Sequence, residues 1–133
     1  MTRVTTPSEH MALLDIHFDA VQPTRVSGSI AADERHHQPW GIVSGGQYTT
    51  AIEAFATFGA YEAVKDSGRQ AVGITNMTDF VRPHRNGRLQ VEAQAIHQGR
   101  TQQLWQVETR RPGDDKLVAR GQVGLQNIDP EDA

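Results

Sequence analysis

Residues 44–66, SGGQYTTAIEAFATFGAYEAVKD, predict the one long helix around which the fold is built. Apolar side chains recur there at three- and four-residue spacing, which is typical of a helix with one buried face. These recurring positions are Tyr48, Ile52, Phe55 and Phe58. Ser44 and Gln47 have the spacing of an N-terminal capping box, and Gly68 lies just beyond the last turn, where helices often end. Alanine and glycine are so frequent in this stretch that we expect a sheet to pack closely against the helix.

Strands are predicted on both sides of this helix. Apolar and polar residues alternate over 13–20 and 25–32, with Gln22-Pro23-Thr24 as the turn between two short strands. The alternation returns from Ala71 onward and predicts four more strands. Their breaks, which we interpret as hairpin turns, are Asn86-Gly87, Gly99 and Pro112-Gly113-Asp114.

The order of these elements predicts an α+β fold, in which one long central helix is wrapped by a curved, mainly antiparallel sheet of about six strands. A single helix cannot cover both faces of such a sheet, so the sheet must curl around it or other subunits must cover the rest. Trp105 and its apolar neighbours favour a dimer on the same ground. We expect residues 1–133 to form a single domain, with residues 1–12 and 129–133 as loose tails.

Composition excludes several classes of protein. The 133 residues contain no cysteine, which excludes disulfide frameworks, thiolate metal sites and cysteine nucleophiles. A net charge of −3 argues against a general nucleic-acid-binding protein, and no apolar run is long enough to cross a membrane. The first eleven residues lack the pattern of a secretory signal. We therefore expect a soluble, cytoplasmic domain.

Basic residues are concentrated in one segment. Between positions 82 and 100 the only acidic residue is Glu92, whereas this segment contains four arginines. These are Arg82, Arg85, Arg88 and Arg100. One interpretation is a solvated surface. The other is a pocket for a small polyanion, because the cluster is too local to follow a nucleic-acid duplex.

The residues with the most evident chemistry open the helix. Gly45 and Gly46 stand at its N-terminus, where unpaired N–H groups and the helix dipole favour developing negative charge. Glu53 follows eight residues after Gly45, among alanine, isoleucine and phenylalanine. An ionisable residue on an otherwise apolar helix marks either a functional site or the solvent edge of the helix.

A longer motif begins before the helix and reads Gln38-Pro39-Trp40-Gly41-Ile42-Val43-Ser44-Gly45-Gly46, six residues, then Glu53. It resembles the motif of hotdog-fold acyl-CoA thioesterases, in the group of the phenylacetate-pathway, 4-hydroxybenzoyl-CoA and 1,4-dihydroxy-2-naphthoyl-CoA thioesterases. That pattern is Asn or Gln, Pro, any residue, Gly, two residues, His-Gly-Gly, six residues and an acidic residue. Residues 76–83 and 97–101 agree with the family as well, and the resemblance extends over roughly residues 13–128.

The resemblance implies catalytic roles for four residues. Glu53 would be the catalytic carboxylate, either as a nucleophile through a mixed anhydride or as a general base on water. Gln38 and the backbone N–H of Gly45 would polarise the thioester carbonyl and hold its oxyanion. Thr57, one turn after Glu53, matches a hydroxyl residue near the catalytic acid. Apolar surroundings would raise the basicity of the Glu53 carboxylate, and Trp40 is expected to pack against the loop that presents Gln38.

The resemblance also implies how the substrate binds. Arg82, Arg100 and Thr101 would contact the nucleotide and pantetheine parts of CoA, and Gly73 and Phe80 would lie beside the acyl and pantetheine path. Further candidate substrate-binding residues are Gly46, His97 and Gly99, although a structural role suits His97 as well. An aromatic acyl group is favoured, because the glutamate and the Gln-Pro-x-Gly loop resemble the aromatic-CoA members most.

Assembly follows from the same resemblance. In this group the carboxylate and the oxyanion donors come from different subunits, so a homodimer would be the smallest active unit, and a homotetramer is expected. The reaction needs no metal and no cofactor. We expect no nucleic-acid or membrane partner.

Ser44 departs from the family pattern, which has histidine at this position. Serine can cap the helix and donate a hydrogen bond, but it cannot act as an acid or base at neutral pH. This departure leaves open a non-catalytic acyl-CoA-binding protein as a second function. A hydratase or dehydratase is a further alternative, although the differently spaced histidine and carboxylate of those enzymes are not found. The retention of Glu53 together with Gln38, Gly45 and Thr57 favours an enzyme.

Overall fold

The computed structural model describes residues 9–132, which contain one long helix and six strands. The helices are α1 (Glu9–Ala12) and α2 (Gly45–Val64), and the strands are β1 (His17–Val21), β2 (Arg25–Ile30), β3 (Gln70–Phe80), β4 (Leu89–Gln98), β5 (Gln102–Arg110) and β6 (Leu117–Ile128). Short 3₁₀ helices cover Glu34–His36, Lys65–Ser67 and Pro130–Asp132. Helix α1 and the 3₁₀ helix Pro130–Asp132 lie within the segments expected as loose tails. Residues 1–8 and 133 of those tails lie outside the described residues.

The six strands form one antiparallel sheet in the order β1-β2-β4-β5-β6-β3. Helix α2 contacts all six strands, so the sheet curls around it. The predicted architecture, a long helix wrapped by an antiparallel sheet of six strands, is confirmed. No helix among residues 9–132 is long and apolar enough to cross a membrane.

One predicted hairpin is wrong. Strand β3 does not pair with β4 across Asn86-Gly87, because β3 pairs with β6 and β4 pairs with β2. The chain between them crosses the end of the sheet, where the N–H of Gly87 donates to the carbonyl oxygen of Ala32 (3.0 Å). The other two breaks do join neighbouring antiparallel strands, β4 to β5 and β5 to β6. Turn-forming residues report a change of direction, but not which strand the chain will pair with next.

The C-terminal half of α2 packs tightly against the sheet. A Cβ atom on Gly59 would lie 2.4 Å from Cη2 of Trp105, so only glycine fits this contact. Trp105 is fully buried, and its Nε1–H donates to Oε1 of Gln103 (2.9 Å). The Gln103 amide in turn donates to the carbonyl of Ala60 and to Oδ1 of Asn127. Trp105 therefore belongs to the core of one chain and gives no support to a dimer.

The N-terminus of α2 is capped differently from the prediction. Ser44 is the N-cap, and its Oγ accepts a hydrogen bond from the N–H of Gly46 (3.2 Å). Gln47 does not complete a capping box, because its side chain is buried and donates to the carbonyl oxygen of Ala31 (2.8 Å). At the other end, Gly68 takes the expected left-handed conformation, with φ of 78°. The glutamine thus ties the helix to the end of β2 instead of closing the cap.

Strand β3 is an edge of the sheet, with β6 on one side and no strand of residues 9–132 on the other. Most of its residues are exposed, including the large apolar side chains of Ile74 and Met77, which are 51% and 73% exposed. A long exposed edge with apolar side chains is a template for pairing with another strand.

Candidate active site

Gln38 begins a tight turn that precedes the helix. Its N–H donates to the carbonyl oxygen of Ile42 (2.8 Å), and its own carbonyl accepts from the N–H of Gly41 (3.0 Å). Gly41 has φ of 81°, a left-handed conformation that other residues rarely adopt. The segment Gln-Pro-Trp-Gly is thus a short hairpin loop, with proline and glycine at positions that such turns favour.

The side chain of Gln38 is oriented by its own turn. Its Oε1 accepts a hydrogen bond from the backbone N–H of Trp40, whereas its Nε2 group has no hydrogen-bond partner among residues 9–132. The amide is therefore held with its N–H donors free. The expectation for Trp40 is wrong: its side chain is 79% exposed at the tip of the turn. It is the Trp40 backbone, not the indole, that holds Gln38.

Gly45 opens helix α2 beneath an aromatic ring. A Cβ atom on Gly45 would lie 2.8 Å from Cζ of Phe80, so the ring of Phe80 covers this residue closely. Phe80 is itself 59% exposed, at the end of β3. Because Ser44 accepts from Gly46, the N–H of Gly45 keeps no acceptor within the described part of the chain. This N–H is a free donor at the positive end of the helix dipole.

Tyr48 lies one turn further along α2, with its ring centroid 6.1 Å from that of Phe80. The side chain is buried, and its hydroxyl has no hydrogen-bond partner among residues 9–132. Burial raises the pKa of this phenol to about 12. The hydroxyl is one of only two buried side-chain groups in the described chain without a partner; the other is that of Thr109.

Glu53 is exposed, which agrees with the solvent-edge alternative, whereas the apolar surroundings expected for its carboxylate are not found. It stands on the outward side of α2 together with Gly46 and Thr57, while its neighbours along the chain, Ile52 and Ala54, are buried. The apolar residues next to Glu53 along the chain lie on other faces of the helix, so they do not surround its carboxylate. The Glu53 carboxylate lies next to β3: a Cβ atom on Gly73 would be 3.5 Å from Oε2 of Glu53.

The remaining candidates on the β4–β5 turn lie at the same end of the sheet as Gly73. The pairing of β5 with β6 and of β6 with β3 aligns Gln102 with Val72 across the sheet. Four predicted site residues lie here: His97 near the end of β4, and Gly99, Arg100 and Thr101 in the turn itself. The ring of His97 packs over Gly99, and the carbonyl oxygens of Arg100 and Thr101 accept hydrogen bonds from the Arg69 guanidinium and the Asn127 N–H. The Arg100 side chain itself is exposed.

The four arginines do not form one cluster. Arg82 is half-buried and donates to the carbonyl of Leu117 (2.7 Å), and Arg88 binds Asp15 and Ser29. Arg100 is at the opposite end of β4, roughly 30 Å away at the usual rise of a strand. The spacing in sequence concealed this separation, because a whole strand lies between Arg88 and Arg100.

The candidate residues therefore fall into two groups. The first, which we call the donor group, comprises Gln38, Gly45, Gly46 and Phe80 around the N-terminus of α2, together with Arg82, which follows Phe80 at the same end of β3 and is bound to the start of β6. The second, the carboxylate group, lies at the other end of β3 and comprises Glu53, Thr57, Gly73, His97, Gly99, Arg100 and Thr101. Gly45 and Glu53 are eight residues apart on one helix, about 12 Å along its axis.

No three histidine, aspartate or glutamate side chains within residues 9–132 come together as a metal site could require. The arrangement offers backbone and amide N–H donors at one end of β3 and a carboxylate at the other.

Comparison with known proteins identifies the family. The sequence profile of the Thioesterase superfamily matches residues 41–118 of this chain. The chain belongs to this superfamily. It is accordingly a thioester hydrolase, and the matched segment includes Gly45, Glu53 and all of β3.

Relatives agree with this assignment over most of their length. The protein Rv1847 of Mycobacterium tuberculosis, named as an esterase, is 36% identical over 128 residues, which cover 95% of this thioesterase and 89% of that protein. The 1,4-dihydroxy-2-naphthoyl-CoA hydrolase of Escherichia coli is 26% identical over 98 residues, or 74% and 71% of the two chains. The crystal structure of S. sahachiroi AziG superposes with a TM-score of 0.87 at 35% identity and covers 92% of this chain and 98% of its own. The helix and sheet of this thioesterase are those of the hotdog fold.

Proposed function

We propose that this thioesterase hydrolyses an acyl-CoA thioester, to the free acid and CoA, at a site completed by a second copy of the chain. The observation that carries the proposal is the separation of the two groups. A carbonyl bound to the Gly45 N–H lies about 3 Å from it, whereas Glu53 of the same chain is about 12 Å further along the helix. Both can act on one thioester only if they come from different chains.

The donor group would stabilise the charge that develops during hydrolysis. The N–H of Gly45 and the Nε2 group of Gln38 lack partners within residues 9–132, and both would donate to the thioester oxygen as it becomes an oxyanion. Donors that are already oriented need no reorganisation during the reaction. Removal of one such donor typically costs about 3 kcal/mol in the barrier.

The carboxylate of Glu53 would supply the second half of the chemistry. As a general base it takes a proton from the attacking water; as a nucleophile it first forms a mixed anhydride, which water then hydrolyses. In either route the C–S bond breaks, CoA leaves as the thiolate and is protonated, and the carboxylic acid remains. Thr57 stands one turn further on and would orient the water or the carboxylate. A second copy packed over Glu53 would remove it from solvent and raise its basicity.

The exposed edge of β3 suggests how the second copy packs. Antiparallel pairing of two β3 strands about a two-fold axis would place the Gly73 end of one strand beside the Phe80 end of the other. Glu53 of one chain would then approach Gly45 of the other, and the reverse would hold at the second site. Val72, Ile74 and Met77 would be covered in the dimer. We propose a homotetramer as the larger assembly of two such dimers.

The substrate would extend from the donor group across both chains. Phe80, Gly46 and Gly73 would border the acyl and pantetheine path, and the CoA part would meet Arg82 together with Arg100, Thr101, His97 and Gly99. We propose an aromatic acyl group, which is supported by the Gln-Pro-x-Gly loop and by the similarity to the E. coli hydrolase named for 1,4-dihydroxy-2-naphthoyl-CoA. The exposed aromatic ring of Phe80 over Gly45 suits such a group.

The decisive test is the release of free thiol from a panel of CoA esters by the parent protein and Glu53→Gln. The panel contains benzoyl, 4-hydroxybenzoyl, phenylacetyl, hydroxynaphthoyl, short-chain and medium-chain esters. We expect turnover of at least one aromatic ester and a loss of about 10³-fold in kcat for Glu53→Gln, because the substitution keeps the shape of the side chain and removes its basicity. The matched control is Glu62→Gln, which removes a carboxylate from the same helix, paired there with Lys65. Binding of CoA esters without any release of thiol would instead identify a binding protein.

The shared site is tested by complementation between two strongly impaired variants. Glu53→Gln and Gln38→Ala are each purified, then unfolded and refolded together in equal amounts. A mixed dimer has one site with both substitutions and one site with neither, so random mixing should restore about a quarter of the parent activity. Mixtures that stay as inactive as their components would contradict a site made from two chains.

A further inference from the structure

The turn that carries Gln38 is attached to the segment between β3 and β4. The N–H of Val43 donates to the carbonyl of His84 (2.8 Å), and Nε2–H of His37 donates to the carbonyl of Arg85 (2.7 Å). In the opposite direction, Nη1 of Arg85 donates to the carbonyl of Gly41 (2.9 Å). The first two bonds hold the two arms of the turn. The third is the one that reaches its tip.

The tip has little else to hold it. Pro39 and Trp40 are exposed, so no apolar packing against the core fixes the loop. Gly41 has no side chain, and the space that its Cβ would fill is approached by Nη1 of Arg85 at 3.1 Å. The guanidinium therefore lies directly against the glycine that closes the turn. A displacement of the turn tip would also move the N–H of Trp40, which holds Oε1 of Gln38.

We propose that Arg85 is a positioning residue for thioester hydrolysis, which fixes the Gln38 turn through Gly41 so that the free amide donor is aimed at the oxyanion. The inference rests on the proposed role of Gln38. Arg85 acts on the reacting atoms indirectly. Its guanidinium binds the Gly41 carbonyl at the tip of the turn, and the Trp40 N–H of the same tip holds the Gln38 side chain. A misplaced donor loses much of its value in the transition state, because catalysis depends strongly on distances of about 1 Å.

Arg111 provides the matched control. It lines the same open groove as Arg85, beside Pro83, His84 and Arg88. Its guanidinium pairs with Asp114 and makes no hydrogen bond to the Gln38 turn. Arg111→Met therefore removes the same charge from the same groove and leaves the turn untouched. Any effect through long-range attraction of CoA phosphates would appear in both variants.

The experiment compares steady-state kinetics of Arg85→Met, Arg85→Lys and Arg111→Met on the best ester of the panel. For Arg85→Met we expect a loss of about 10-fold in kcat with KM changed less than about 2-fold, since the transition state is affected and the ground state is not. Arg85→Lys should recover part of the loss, because an ammonium can still donate to Gly41. Arg111→Met should resemble the parent, and the melting temperatures of all variants should agree.

A double substitution separates positioning from any direct role. In a Gln38→Ala background the donor is gone, so Arg85→Met should reduce kcat by less than about 2-fold further. Independent, multiplying losses would overturn the proposal and place Arg85 in direct contact with the substrate. A loss confined to KM would overturn it too.

A spectroscopic measurement keeps this outcome distinct from that of the proposed function. The side-chain amide signals of Gln38 in the free protein should shift in Arg85→Met and not in Arg111→Met. Unchanged Gln38 signals in both would overturn the positioning role even in an active enzyme. If the parent protein shows no turnover, the proposed function is overturned. The proposed role of Arg85 in catalysis is then overturned as well, whatever the amide signals show.

Discussion

The two halves of helix α2 differ in whether the polar groups beside them find hydrogen-bond partners within one chain. In the C-terminal half, Gly59 packs on Trp105, and the polar groups beneath it form a closed set of hydrogen bonds through Gln103. In the N-terminal half, Gly45 keeps a free N–H, the Tyr48 hydroxyl has no partner among residues 9–132, and Glu53 is exposed. The polar groups beneath the C-terminal half find partners within one chain, whereas the N-terminal half leaves polar groups available to another molecule.

This difference explains why glycine is used in both halves for opposite reasons. At Gly59 the missing side chain admits a tryptophan ring, which fills the space completely. At Gly46 the position is exposed and the nearest side-chain atom to a Cβ would be Oγ of Ser44 at 3.6 Å. One glycine is required by packing, while the other keeps the helix N-terminus accessible.

The most direct test of this difference in packing is to add the same methyl group to each half of α2. Gly59→Ala puts a carbon within 2.4 Å of Trp105 and 2.8 Å of Val26, so the core must shift. We expect the free energy of unfolding to fall by about 2–3 kcal/mol, although alanine favours a helix over glycine by about 1 kcal/mol. Urea unfolding at a fixed protein concentration measures the change.

Gly46→Ala is the matched control for this prediction. Its methyl group meets only ordinary van der Waals contact, so the free energy of unfolding should stay the same or rise by less than about 1 kcal/mol. Equal losses in the two variants would mean that the halves of α2 are packed alike, and the contrast between them would be wrong.

Tyr48, in the N-terminal half of α2, should make the stability of the protein depend on pH. Burial raises the pKa of its phenol to about 12 in the folded chain, against about 10 when unfolded. The folded state therefore holds the proton more tightly, and stability should decrease as the pH rises from 10 to 12. Tyr48→Phe should remove a decrease of about 2 kcal/mol over this range, while at pH 7 the loss of an unpaired hydroxyl should cost nothing.

The control for the tyrosine is Tyr61→Phe, in the half-buried part of the same helix. Unfolding by urea at pH 7, 10 and 11.5 compares the three proteins. An unchanged alkaline decrease in Tyr48→Phe would assign the pH dependence to other groups.

Much of the fold could be predicted because its signals are local. Helix α2 covers Gly45–Val64 where the spacing indicated 44–66, and all four later strands lie where the alternation placed them. The failures concern contacts between distant segments. Nothing near Asn86-Gly87 indicates that β3 pairs with β6, and nothing near Gln47 indicates that its amide donates to Ala31. Such partners are chosen by the packing of the whole sheet.

The candidate site was harder to predict than the fold. The motif from Gln38 to Glu53 could be recognised in the sequence. The sequence did not show that Gln38 and Glu53 lie near opposite ends of β3. The exposure of Trp40 and of Glu53 depends on which way a turn tip and one helix position face, and composition does not contain that information. Charge alone groups Arg85 with the other arginines of residues 82–100. Its contact with Gly41 joins residues far apart in sequence and has no local signal.

The strand order also governs what happens while the chain is being made. Strand β3 emerges from the ribosome directly after α2, yet β6, the strand that it pairs with among residues 9–132, is the last of these six strands in chain order. Until then β3 has both edges open and its apolar side chains exposed, the state in which nascent chains associate wrongly. Closing this pairing completes the sheet, so β6 must be synthesised before the helix is enclosed. Chains that end before β6 would be expected to aggregate and to be degraded.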